Sequence, residues 1–303
     1  MSIPYARVIV NPAGAYFTHR QWSRIDKLLW HVGLAFDFEY TEGVGHAIEL
    51  ARAATGDGCQ HLVAVGEDGT VNEVANGILR STGSGSVMLG IVNTGTGSDF
   101  IRSAGIPRHY SDACSFLTSQ RWLVIVVGVV QFRRNGETLQ RYFVNAAGVG
   151  FDATVAQTTE KLPKFFGGTI PYLVGLVRIL FSYRNKPVVL NIENEVETGR
   201  VLNVAVANGG YLGGGIHIAP EAKLDDSLLD VVIVGDIGKF ELLKALPTVY
   251  QGTHVDHPKV SMRKARRVSV ESPERILVYA DGELLGEGPA SFSLLPSALS
   301  VVV

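Results

Sequence analysis

Apolar residues follow two different periods in the N-terminal part of the chain. Short continuous apolar runs alternate with segments whose apolar residues recur every three or four positions, and these patterns predict buried strands and helices, respectively. Apolar runs predict strands at residues 6–10, 61–65 and 88–92, and residues 36–40, with sequence FDFEY, are also predicted to be a strand. The predicted helices lie at 25–32, 45–54, 71–79 and 112–117. Strands that alternate with helices in this way indicate a parallel sheet with helical crossovers, so we expect a Rossmann-like α/β domain.

The pattern changes after the apolar run at residues 122–130. The polar turn at 133–136, with sequence RRNG, predicts a hairpin, and β-type runs follow at 142–146, 188–192, 201–207, 229–234, 267–270, 276–280 and 290–295. Two helical segments interrupt them, at 170–183 and 240–250. We therefore expect an α/β plus all-β protein, with an α/β domain at 1–132 and an antiparallel β-sandwich domain at 133–297. The last strand, 298–303, is free to return to the first domain.

Composition narrows the functional classes. The 303 residues carry a formal net charge of −2, so charge gives no argument for binding nucleic acid or an anionic membrane. Cys59 and Cys114 are too few for a disulfide framework or a four-ligand zinc site. The N-terminus lacks the apolar segment of a signal peptide. The most hydrophobic stretch, 170–181, contains Pro171 and Arg178 and is too short to span a bilayer, so we expect a cytoplasmic protein.

The segment 61–79 places an acidic loop between a strand and a helix. Residues 66–70, with sequence GEDGT, follow the strand directly; Asp68 or Thr70 can cap the helix, and Glu73 is spaced for a capping box with Thr70. Backbone N–H groups at a helix start attract phosphate, whereas a carboxylate there repels it unless it binds Mg²⁺ or a proton. Asp68 is therefore a candidate acid/base or metal-binding residue. The alternative is a plain strand–turn–helix junction capped by Asp68.

Three more loops with similar chemistry follow predicted strands. Residues 89–100 form a strand and a glycine-rich turn with Thr96 and Asp99, Asn11 begins the loop after the first strand, and Thr41 begins the loop 41–47. The carboxyl ends of parallel strands meet at one edge of a sheet, so the four loops should face one crevice. This agreement favours a phosphate-binding site over four unrelated turns. The sequence contains neither a P-loop nor GxGxxG, so those nucleotide sites are not supported.

Together, these motifs resemble the diacylglycerol kinase catalytic family, which includes bacterial lipid kinases and sphingosine kinases. The matching segments are NPAG at 11–14, TEGVGHA at 41–47, GEDGTVNEV at 66–74, GTGSDF at 95–100 and YADGE at 279–283. In the second half, VNAAGVGFDA at 144–153, ANGGYLGGGIHIAPEAKLDDSLLDV at 207–231 and LLPSALSVVV at 294–303 also match. The resemblance therefore covers nearly the whole chain. The family shares its GGDGT loop with NAD kinases and phosphofructokinases.

The resemblance implies an ATP- and Mg²⁺-dependent kinase and suggests which residues serve it. It assigns Asp281 to catalysis as the general base for a lipid hydroxyl, and we keep Asp68, the acid/base candidate of the acidic loop, as a second catalytic residue. It assigns a structural Mg²⁺ to the side chain of Asp226 and the carbonyl groups of Lys223 and Leu228, and oxygen ligands suit this ion. The cofactor-binding residues taken from the motifs and loops are Asn11, Thr41, Gly66, Glu67, Asp68, Gly69, Thr70, Asn72, Glu73, Gly95, Thr96, Asp99 and Glu283.

Local pattern alone gives other interpretations for two of these segments. The pair Asp281-Gly282 follows a predicted strand and is typical of a hairpin turn at the surface. Asp225 and Asp226 are also consistent with a solvated turn before the strand at 229–234. Only the resemblance favours a catalytic role at Asp281 and a metal-binding role at Asp226.

The sequence departs from the family pattern in its loops and in one strand. Glu67 replaces the second glycine of GGDGT, which would cost about 1 kcal/mol if the position needed a positive φ. Asn93 and Ser98 replace the proline and the asparagine of the motif P-x-G-T-x-N-D, and Val126 replaces an acid of many bacterial members. Either Glu67 supplies the acid that position 126 lacks, or Glu67 points to solvent and Val126 only extends an apolar strand.

We therefore predict an ATP-dependent lipid kinase that phosphorylates a lipid alcohol, such as diacylglycerol or a sphingoid base, in a cleft between two domains. The alternatives are a nucleotide-binding protein of kinase fold with weakened or lost activity and a non-lipid kinase related to NAD kinase. We expect transient contact with the inner face of the membrane and no nucleic-acid partner, and a homodimer is compatible with the sequence. The basic run 261–267 and the apolar segment 161–183 could contact lipid, although a solvated strand edge and a core helix explain them as well.

Overall fold

The computed structural model describes residues 5–14, 17–95, 98–119, 121–160 and 179–303. The helices in these residues are α1 (His19–His31), α2 (His46–Gly56), α3 (Asp68–Leu79), α4 (Asp99–Ala104), α5 (Tyr110–Phe116), α6 (Phe151–Glu160) and α7 (Lys239–Gln251). The first strands are β1 (Ala6–Val10), β2 (Phe36–Tyr40), β3 (His61–Gly66), β4 (Met88–Asn93), β5 (Trp122–Arg134), β6 (Glu137–Phe143) and β7 (Ala146–Gly150). The later strands are β8 (Lys186–Ile192), β9 (Glu195–Val201), β10 (Asn203–Ala207), β11 (Leu229–Val234), β12 (Val260–Ala265), β13 (Arg267–Glu271), β14 (Leu277–Ala280) and β15 (Glu283–Val302).

The first four strands form a parallel sheet in the order β4-β3-β1-β2, which confirms the predicted α/β layer. Helices cover both faces of this sheet. Leu62 and Ala64 of β3 belong to the core beside α2 and α3, whereas Val63 and Val65 belong to the core beside α1 and α5. A strand that is buried on both faces needs apolar residues at every position, which explains the continuous apolar runs in the sequence.

The loops after these four strands meet at one edge of the sheet. The Asn11 N–H donates to the Val65 carbonyl at 2.9 Å, and the Thr41 N–H donates to the Val10 carbonyl at 2.9 Å. The Thr94 N–H donates to the Gly66 carbonyl at 3.2 Å. Each loop is thus tied to the end of the neighbouring strand, and the loops meet at the carboxyl edge of the sheet as expected.

Two long strands join the parallel sheet to the C-terminal part of the chain. β15 is 20 residues long; near its end, Ser300 pairs in parallel with Met88 of β4, and most of its length runs antiparallel to β5. The chain therefore returns to the first sheet at its C-terminus. The predicted hairpin turns between β5 and β6 with positive φ at Asn135 and Gly136, as an Asn-Gly turn requires. The predicted boundary at 132/133 lies inside the continuous strand β5.

The C-terminal part is a β-sandwich, as the sequence predicts. Antiparallel strands run in the order β12-β11-β10-β7-β14-β15, and β13, β8 and β9 extend from β15. Alternate residues of these strands face a shared apolar core, and among the largest buried side chains in it are Phe143 and Phe292. Two predicted strands differ in extent: 142–146 spans the end of β6 and the start of β7, and 201–207 is divided between β9 and β10. The predicted helix at 170–183 lies outside the described residues up to position 178, and residues 179–182 are helical.

The start of α3 differs from its prediction. Glu67 occupies the N-cap position with φ −97° and ψ −178°, and no side chain caps the helix. Since the helix begins at Asp68, Thr70 lies too deep in its first turn to form the predicted capping box with Glu73. The Glu73 carboxylate instead accepts the N–H groups of Gly45 at 2.8 Å and Ala47 at 3.2 Å, at the start of α2. Glu73 therefore stabilises the neighbouring helix, where unpaired N–H groups favour a carboxylate.

The described helices can also be tested for their ability to cross a membrane. None of those in the described ranges combines the length and the apolar character that a transmembrane helix needs.

Candidate active site

A cavity of about 670 Å³ lies between the parallel sheet edge and the sandwich. Four carboxylates line it, namely those of Asp68, Asp99, Asp152 and Asp281, and most of the remaining lining side chains are apolar. The expected meeting of Asp68 with Asp281 is thus present, although the two residues are far apart in the sequence. A cavity with a polar end and an apolar body suits an amphipathic ligand.

Asp281 lies in the turn between β14 and β15, with φ +45°. Its carboxylate accepts four hydrogen bonds: from the Asn72 side chain at 2.6 Å, and from the N–H groups of Val144, Asn145 and Ala146 at 2.8, 3.0 and 2.9 Å. Two donors point at each oxygen, so all four lone pairs are engaged. Burial raises the pKa of Asp281, while these hydrogen bonds act in the opposite direction. Asp281 therefore lines the cavity and also connects its turn to Asn72 of α3 and to the backbone of residues 144–146.

A polar network around Asn72 supports this connection. The Arg141 guanidinium donates to the Asn72 side-chain oxygen and to the Glu283 carboxylate, each at 3.0 Å. Asn76 donates to the side-chain oxygen of Asn72 at 3.1 Å and to the Tyr142 carbonyl at 3.0 Å. Arg141 and Asn76 were not predicted from the sequence, because Arg141 bonds residues 69 and 142 positions away and Asn76 reaches Tyr142, 66 positions away. Glu283, predicted to bind cofactor, is paired with Arg141 here.

The carboxylate of Asp68 accepts fewer hydrogen bonds than that of Asp281. Its carboxylate accepts two N–H groups at the start of α4, from Asp99 at 3.1 Å and Phe100 at 3.2 Å. Burial, with a contribution from the nearby Asp99 carboxylate, raises the pKa of Asp68 to about 6. Asp68 thus keeps lone pairs for a proton, and its pKa lies near the range that suits a general base at neutral pH.

Asp99 also lines the cavity, from the first turn of α4. One of its oxygens accepts the Gly214 N–H at 2.7 Å, and the other is buried without a hydrogen-bond partner among the described residues. Burial raises the pKa of Asp99, against hydrogen bonds from Gly214 and Gly215. The unpaired oxygen marks a place where a ligand or water can donate a hydrogen bond.

Most of the other predicted cofactor-binding residues lie in or beside the loops at the sheet edge. The Asn11 side chain donates to the Thr70 hydroxyl at 2.9 Å, and a Cβ added to Gly66 would lie 2.3 Å from that hydroxyl oxygen. Thr41 is buried after β2, and Gly69 faces open space. Thr96 lies outside the described residues. These positions are brought together as expected, and their role in binding a cofactor stays a prediction.

Glu67 does not point to solvent, which corrects one expectation. Its side chain lies across Gly95, where an added Cβ would be 2.1 Å from the Glu67 Cγ, and its Oε1 is 3.8 Å from the Cβ position of Gly14. That oxygen is buried and has no hydrogen-bond partner in the described part of the chain. The backbone at Glu67 is extended, so the residue causes no φ strain. Glu67 therefore occupies the space between two of the glycine loops.

Val126 lies elsewhere. It is 1% exposed, its N–H donates to the Leu224 carbonyl at 2.7 Å, and its carbonyl accepts the Asn208 side chain at 2.8 Å. Neither Val126 nor Glu67 lines the cavity. The idea that Glu67 replaces an acid missing at position 126 therefore gains no support, and Val126 behaves as an apolar residue of β5.

The predicted structural Mg²⁺ site contains a competing cation. The two oxygens of Asp226 are engaged by the Leu228 N–H at 3.0 Å and the Lys264 ammonium at 2.9 Å. No cluster of three or more His, Cys, Asp or Glu residues that could hold a metal occurs in the described ranges. Both Asp226 oxygens are thus engaged, and Lys264 competes with a Mg²⁺ ion for this carboxylate. The ligand set of Lys223, Asp226 and Leu228 stays a prediction.

Asp152 is a cavity carboxylate that was not predicted from the sequence as a site residue. It lies in the first turn of α6, within the GFDA segment, and contacts Asn203 and Tyr279. Burial raises the pKa of Asp152 to about 6. Its place inside a motif at a strand–helix junction was the one local signal for it.

Comparisons with known proteins agree with this architecture. Residues 5–130 match the model of the diacylglycerol kinase catalytic domain, and residues 145–303 match the YegS C-terminal NAD kinase beta sandwich-like domain. A diacylglycerol kinase of Mycobacterium tuberculosis is 31% identical over 267 residues, which are 87% of this chain and 84% of that protein. A diacylglycerol kinase of Bacillus subtilis is 27% identical over 300 residues, with 98% and 96% covered.

Solved structures from Bacillus anthracis share the fold. One chain superposes with a TM-score of 0.82 at 24% identity, covering 100% of this chain and 96% of that one. Another, solved as a diacylglycerol kinase, gives a TM-score of 0.74 at 21% identity and covers 100% and 97%. With the two family matches and the relative above 30% identity, the conclusion is plain: the chain belongs to the diacylglycerol kinase family of phosphotransferases, which use an alcohol as acceptor.

Proposed function

We propose that this protein transfers the γ-phosphate of ATP to the hydroxyl of a lipid that binds in the cavity. The observation that carries the proposal is the cavity itself, whose polar end holds Asp68, Asp99 and Asp281 and whose body is apolar. The polar end adjoins the loops at the sheet edge. A phosphate donor at the loops and an amphipathic acceptor in the cavity would therefore meet at these carboxylates.

ATP would bind in the crevice between the loops after β1, β2, β3 and β4. Backbone N–H groups near Gly69 and at the start of α3 are suited to phosphate oxygens, and Asn11 with Thr70 forms the polar wall beside them. ATP would enter as its Mg²⁺ complex, in which the metal neutralises phosphate charge and belongs to the substrate. No resident metal ion is needed for this placement.

Asp68 is the better placed general base of the two cavity candidates. The acceptor hydroxyl attacks the γ-phosphorus, the bond from that phosphorus to the bridging oxygen breaks, ADP leaves, and the hydroxyl proton passes to Asp68. Asp68 has free lone pairs and a pKa of about 6. Asp281 would first have to release one of its four donors, so we assign it the positioning of residues 144–146 beside the acceptor.

The apolar body of the cavity would hold the lipid chain. Leu246, Val249 and Tyr250 of α7 line it, and α7 also exposes Phe240 on its outer side, in an edge contact with the exposed Phe181. Exposed aromatic side chains beside an apolar cavity suit a transient contact with a membrane surface, from which a lipid could enter. This supports peripheral membrane contact.

A second candidate is a protein of the same fold with weakened activity. The side chain of Glu67 lies between Gly14 and Gly95, where phosphate oxygens are expected, and its buried oxygen is unpaired in the described chain. A carboxylate in that place opposes phosphate binding. A kinase acting on a dinucleotide is disfavoured, because the cavity body offers apolar rather than polar contacts.

The test is phosphate transfer from γ-³²P-ATP to a panel of lipids in mixed micelles, with NAD as a further acceptor. We expect label in at least one lipid and none in NAD. Absence of transfer to every lipid, combined with ATP binding, would favour the weakened protein, and transfer to NAD alone would overturn the lipid assignment.

A further inference from the structure

A second cavity, of about 460 Å³, lies on the β-sandwich, and we call it the arginine cavity. No described residue lines both this cavity and the one that holds Asp68 and Asp281. It is therefore a separate place on the molecule, which the proposed phosphate transfer does not use. The lining residues are Ser227 before β11, Arg266 and Arg267 at the corner between β12 and β13, and Ser293, Leu294 and Pro296 of β15.

The corner between β12 and β13 turns two adjacent arginines toward the same space. Ala265 ends β12, Arg267 begins β13, and Arg266 belongs to neither strand. Side chains alternate between opposite faces within a continuous strand, and the break at position 266 lets both arginines line one cavity. Arg267 also lies directly opposite Ser293 in the register of β13 with β15, where paired Cβ atoms are about 5 Å apart. Guanidinium and hydroxyl groups can thus reach one ligand.

These two arginines differ from the other cations of the same basic run. Arg263 forms ion pairs with two glutamates of β9, and Lys264 forms them with one aspartate before β11 and one within it. In the described ranges, neither Arg266 nor Arg267 forms an ion pair. Glu193 contacts the corner, but its carboxylate accepts the backbone N–H of Arg266. Two guanidinium groups thus share the cavity without an acidic side chain that neutralises them within the described chain.

The other lining residues narrow the kind of anion. Guanidinium groups bind phosphate oxygens through paired N–H donors, and the hydroxyl groups of Ser227 and Ser293 are suited to donate to further oxygens. Leu294 and Pro296 form an apolar wall beside these donors. At about 30 Å³ for a water-sized group, the volume of about 460 Å³ has room for more than inorganic phosphate alone. The cavity therefore suits a phosphate that carries an organic group.

The arginine cavity lies away from the surface that we propose for membrane contact. Leu229 pairs with Ala265 at the end of β11 and β12 that adjoins the cavity. Val234 pairs with Val260 at the other end, from which the chain continues to α7 with its exposed Phe240. The six residues of β11 span about 17 Å. A ligand from solution therefore fits this position better than a lipid headgroup.

We propose that the arginine cavity binds the phosphate group of a small soluble organic phosphate, with Arg266 and Arg267 as its anion-binding residues. The inference goes beyond the proposed kinase function, because this site needs neither ATP nor a lipid acceptor. If the two arginines only kept this surface solvated, they would attract anions weakly and without saturation. Saturable binding that depends on both arginines is therefore the property to measure.

Inorganic phosphate and sn-glycerol 3-phosphate are the probes, and glycerol is the matched compound without a phosphate. Calorimetric titration of the whole wild-type chain should show saturable binding of glycerol phosphate with a Kd below about 1 mM. We expect weaker binding of inorganic phosphate and none of glycerol. Absence of saturable binding of both phosphates would overturn the proposal.

Substitutions locate the binding in the protein. Arg266→Gln and Arg267→Gln should each weaken glycerol phosphate about tenfold, and the double variant should abolish its binding. The control combines Arg263→Gln with Arg275→Gln, which removes the same charge from two ion-paired arginines. Binding that survives in the Arg266/Arg267 double variant, as it would in the nucleotide crevice, would overturn the proposal. An equal loss in the control would overturn it too, and melting curves show whether each variant is folded.

Vesicles separate a soluble ligand from a lipid headgroup with the same phosphomonoester. Wild type and the Arg266/Arg267 double variant are sedimented with phosphatidylcholine vesicles that contain phosphatidic acid. We expect equal sedimentation of the two proteins, because the arginine cavity lies away from α7. A loss of sedimentation in the double variant would overturn the assignment to a soluble ligand.

Discussion

The side chain of Asn72 donates a 2.6 Å hydrogen bond to the carboxylate of Asp281, 209 positions away in the sequence. Asn72 lies in α3, directly after the acidic loop, and Asp281 lies in the turn between the last two strands. The same Asn72 amide donates to the Tyr142 carbonyl at 3.0 Å. One side chain therefore connects the loop at the sheet edge with the β-sandwich across the candidate active site.

Asn72→Asp should break this connection with little change in shape. The new carboxylate would face that of Asp281 and the Tyr142 carbonyl, so we expect the free energy of unfolding to fall by about 2 kcal/mol or more. The loss should be smaller at pH 5 than at pH 7.5, because a shared proton relieves the repulsion. Urea unfolding at both pH values measures it. The control is Asn191→Asp on the exposed face of β8, and a loss no greater than in this control would contradict the argument.

Substitutions at Asp68 and Asp281 should have different effects on kcat and on its pH dependence. Replacing Asp68 with Asn removes the proposed base, so turnover should fall by about 10²–10⁴-fold, and the rise of kcat with pH around the pKa of about 6 should disappear. Asp281→Asn should also reduce turnover, through misplaced N–H groups at 144–146, but should keep that pH dependence. Pre-steady-state phosphate transfer between pH 5 and 8 separates them. If the pH dependence of kcat were lost in Asp281→Asn and kept in Asp68→Asn, Asp281 would be the general base instead.

Stability should respond to pH through Asp152. Its folded pKa of about 6 lies above the value of about 3.9 for an unfolded aspartate. The native state therefore binds the proton more tightly than the unfolded state does. The resulting contribution to the free energy of unfolding is fully present below about pH 4 and is lost as pH rises through about 6. Relative to wild type, Asp152→Asn should become more stable between pH 4.5 and 7.5. Urea midpoints across this range give the difference, with the uncharged exposed change Asn191→Ala as the baseline. A difference independent of pH would contradict the raised pKa.

Glu67 should weaken nucleotide binding. Two like charges about 4 Å apart repel by about 4 kcal/mol at an effective dielectric constant of about 20, and the Glu67 carboxylate lies between the glycine loops. We expect Glu67→Gly to increase ATP affinity at least tenfold in calorimetric titrations. Glu67→Gln, which removes charge but not bulk, should fall between Gly and wild type. Weaker binding in Glu67→Gly would show instead that this carboxylate supports the nucleotide.

The substitution Val126→Asp, alone and combined with Glu67→Gly, tests whether the two positions share one acid. Because Val126 is buried in β5, Val126→Asp should destabilise the protein rather than restore activity to Glu67→Gly. The two changes should add within about 0.5 kcal/mol in a double-mutant cycle on ATP affinity. Coupling well beyond that value would revive the idea that the two positions share one acid.

The predicted structural Mg²⁺ site at Lys223, Asp226 and Leu228 can be tested by removing Lys264, the cation that competes for Asp226. Lys264 neutralises Asp226 at 2.9 Å, so Lys264→Met should increase the rise in melting temperature that Mg²⁺ produces, and Asp226→Ala should abolish any such rise. Calorimetric melting with 0 and about 10 mM Mg²⁺ compares the variants with wild type, a range in which an oxygen site of modest affinity fills. Equal Mg²⁺ effects in all three proteins would remove the structural metal site.

Local sequence determined the elements and the loops. The sequence predicted β1 and β2 to the residue and β3 and β4 to within one residue. Buried parallel strands such as β3 and β4 need apolar side chains on both faces, whereas β2 lies at the edge of the sheet and exposes Phe38 and Glu39. The turn after β5 followed from Asn135 and Gly136, whose positive φ is a property of the residues themselves. The acidic loop and its neighbours at the sheet edge followed from the same short-range chemistry.

Only the tertiary structure decided which partner each polar group meets. Glu73 is spaced for a cap on its own helix but binds the start of α2, and Asp281 resembles a surface turn but collects donors from residues 72 and 144–146. Asp152 finds Tyr279 on a strand more than a hundred positions later. Periodicity and turn preference act over a few residues, whereas these hydrogen bonds depend on strand order and on how the sandwich closes over the sheet edge.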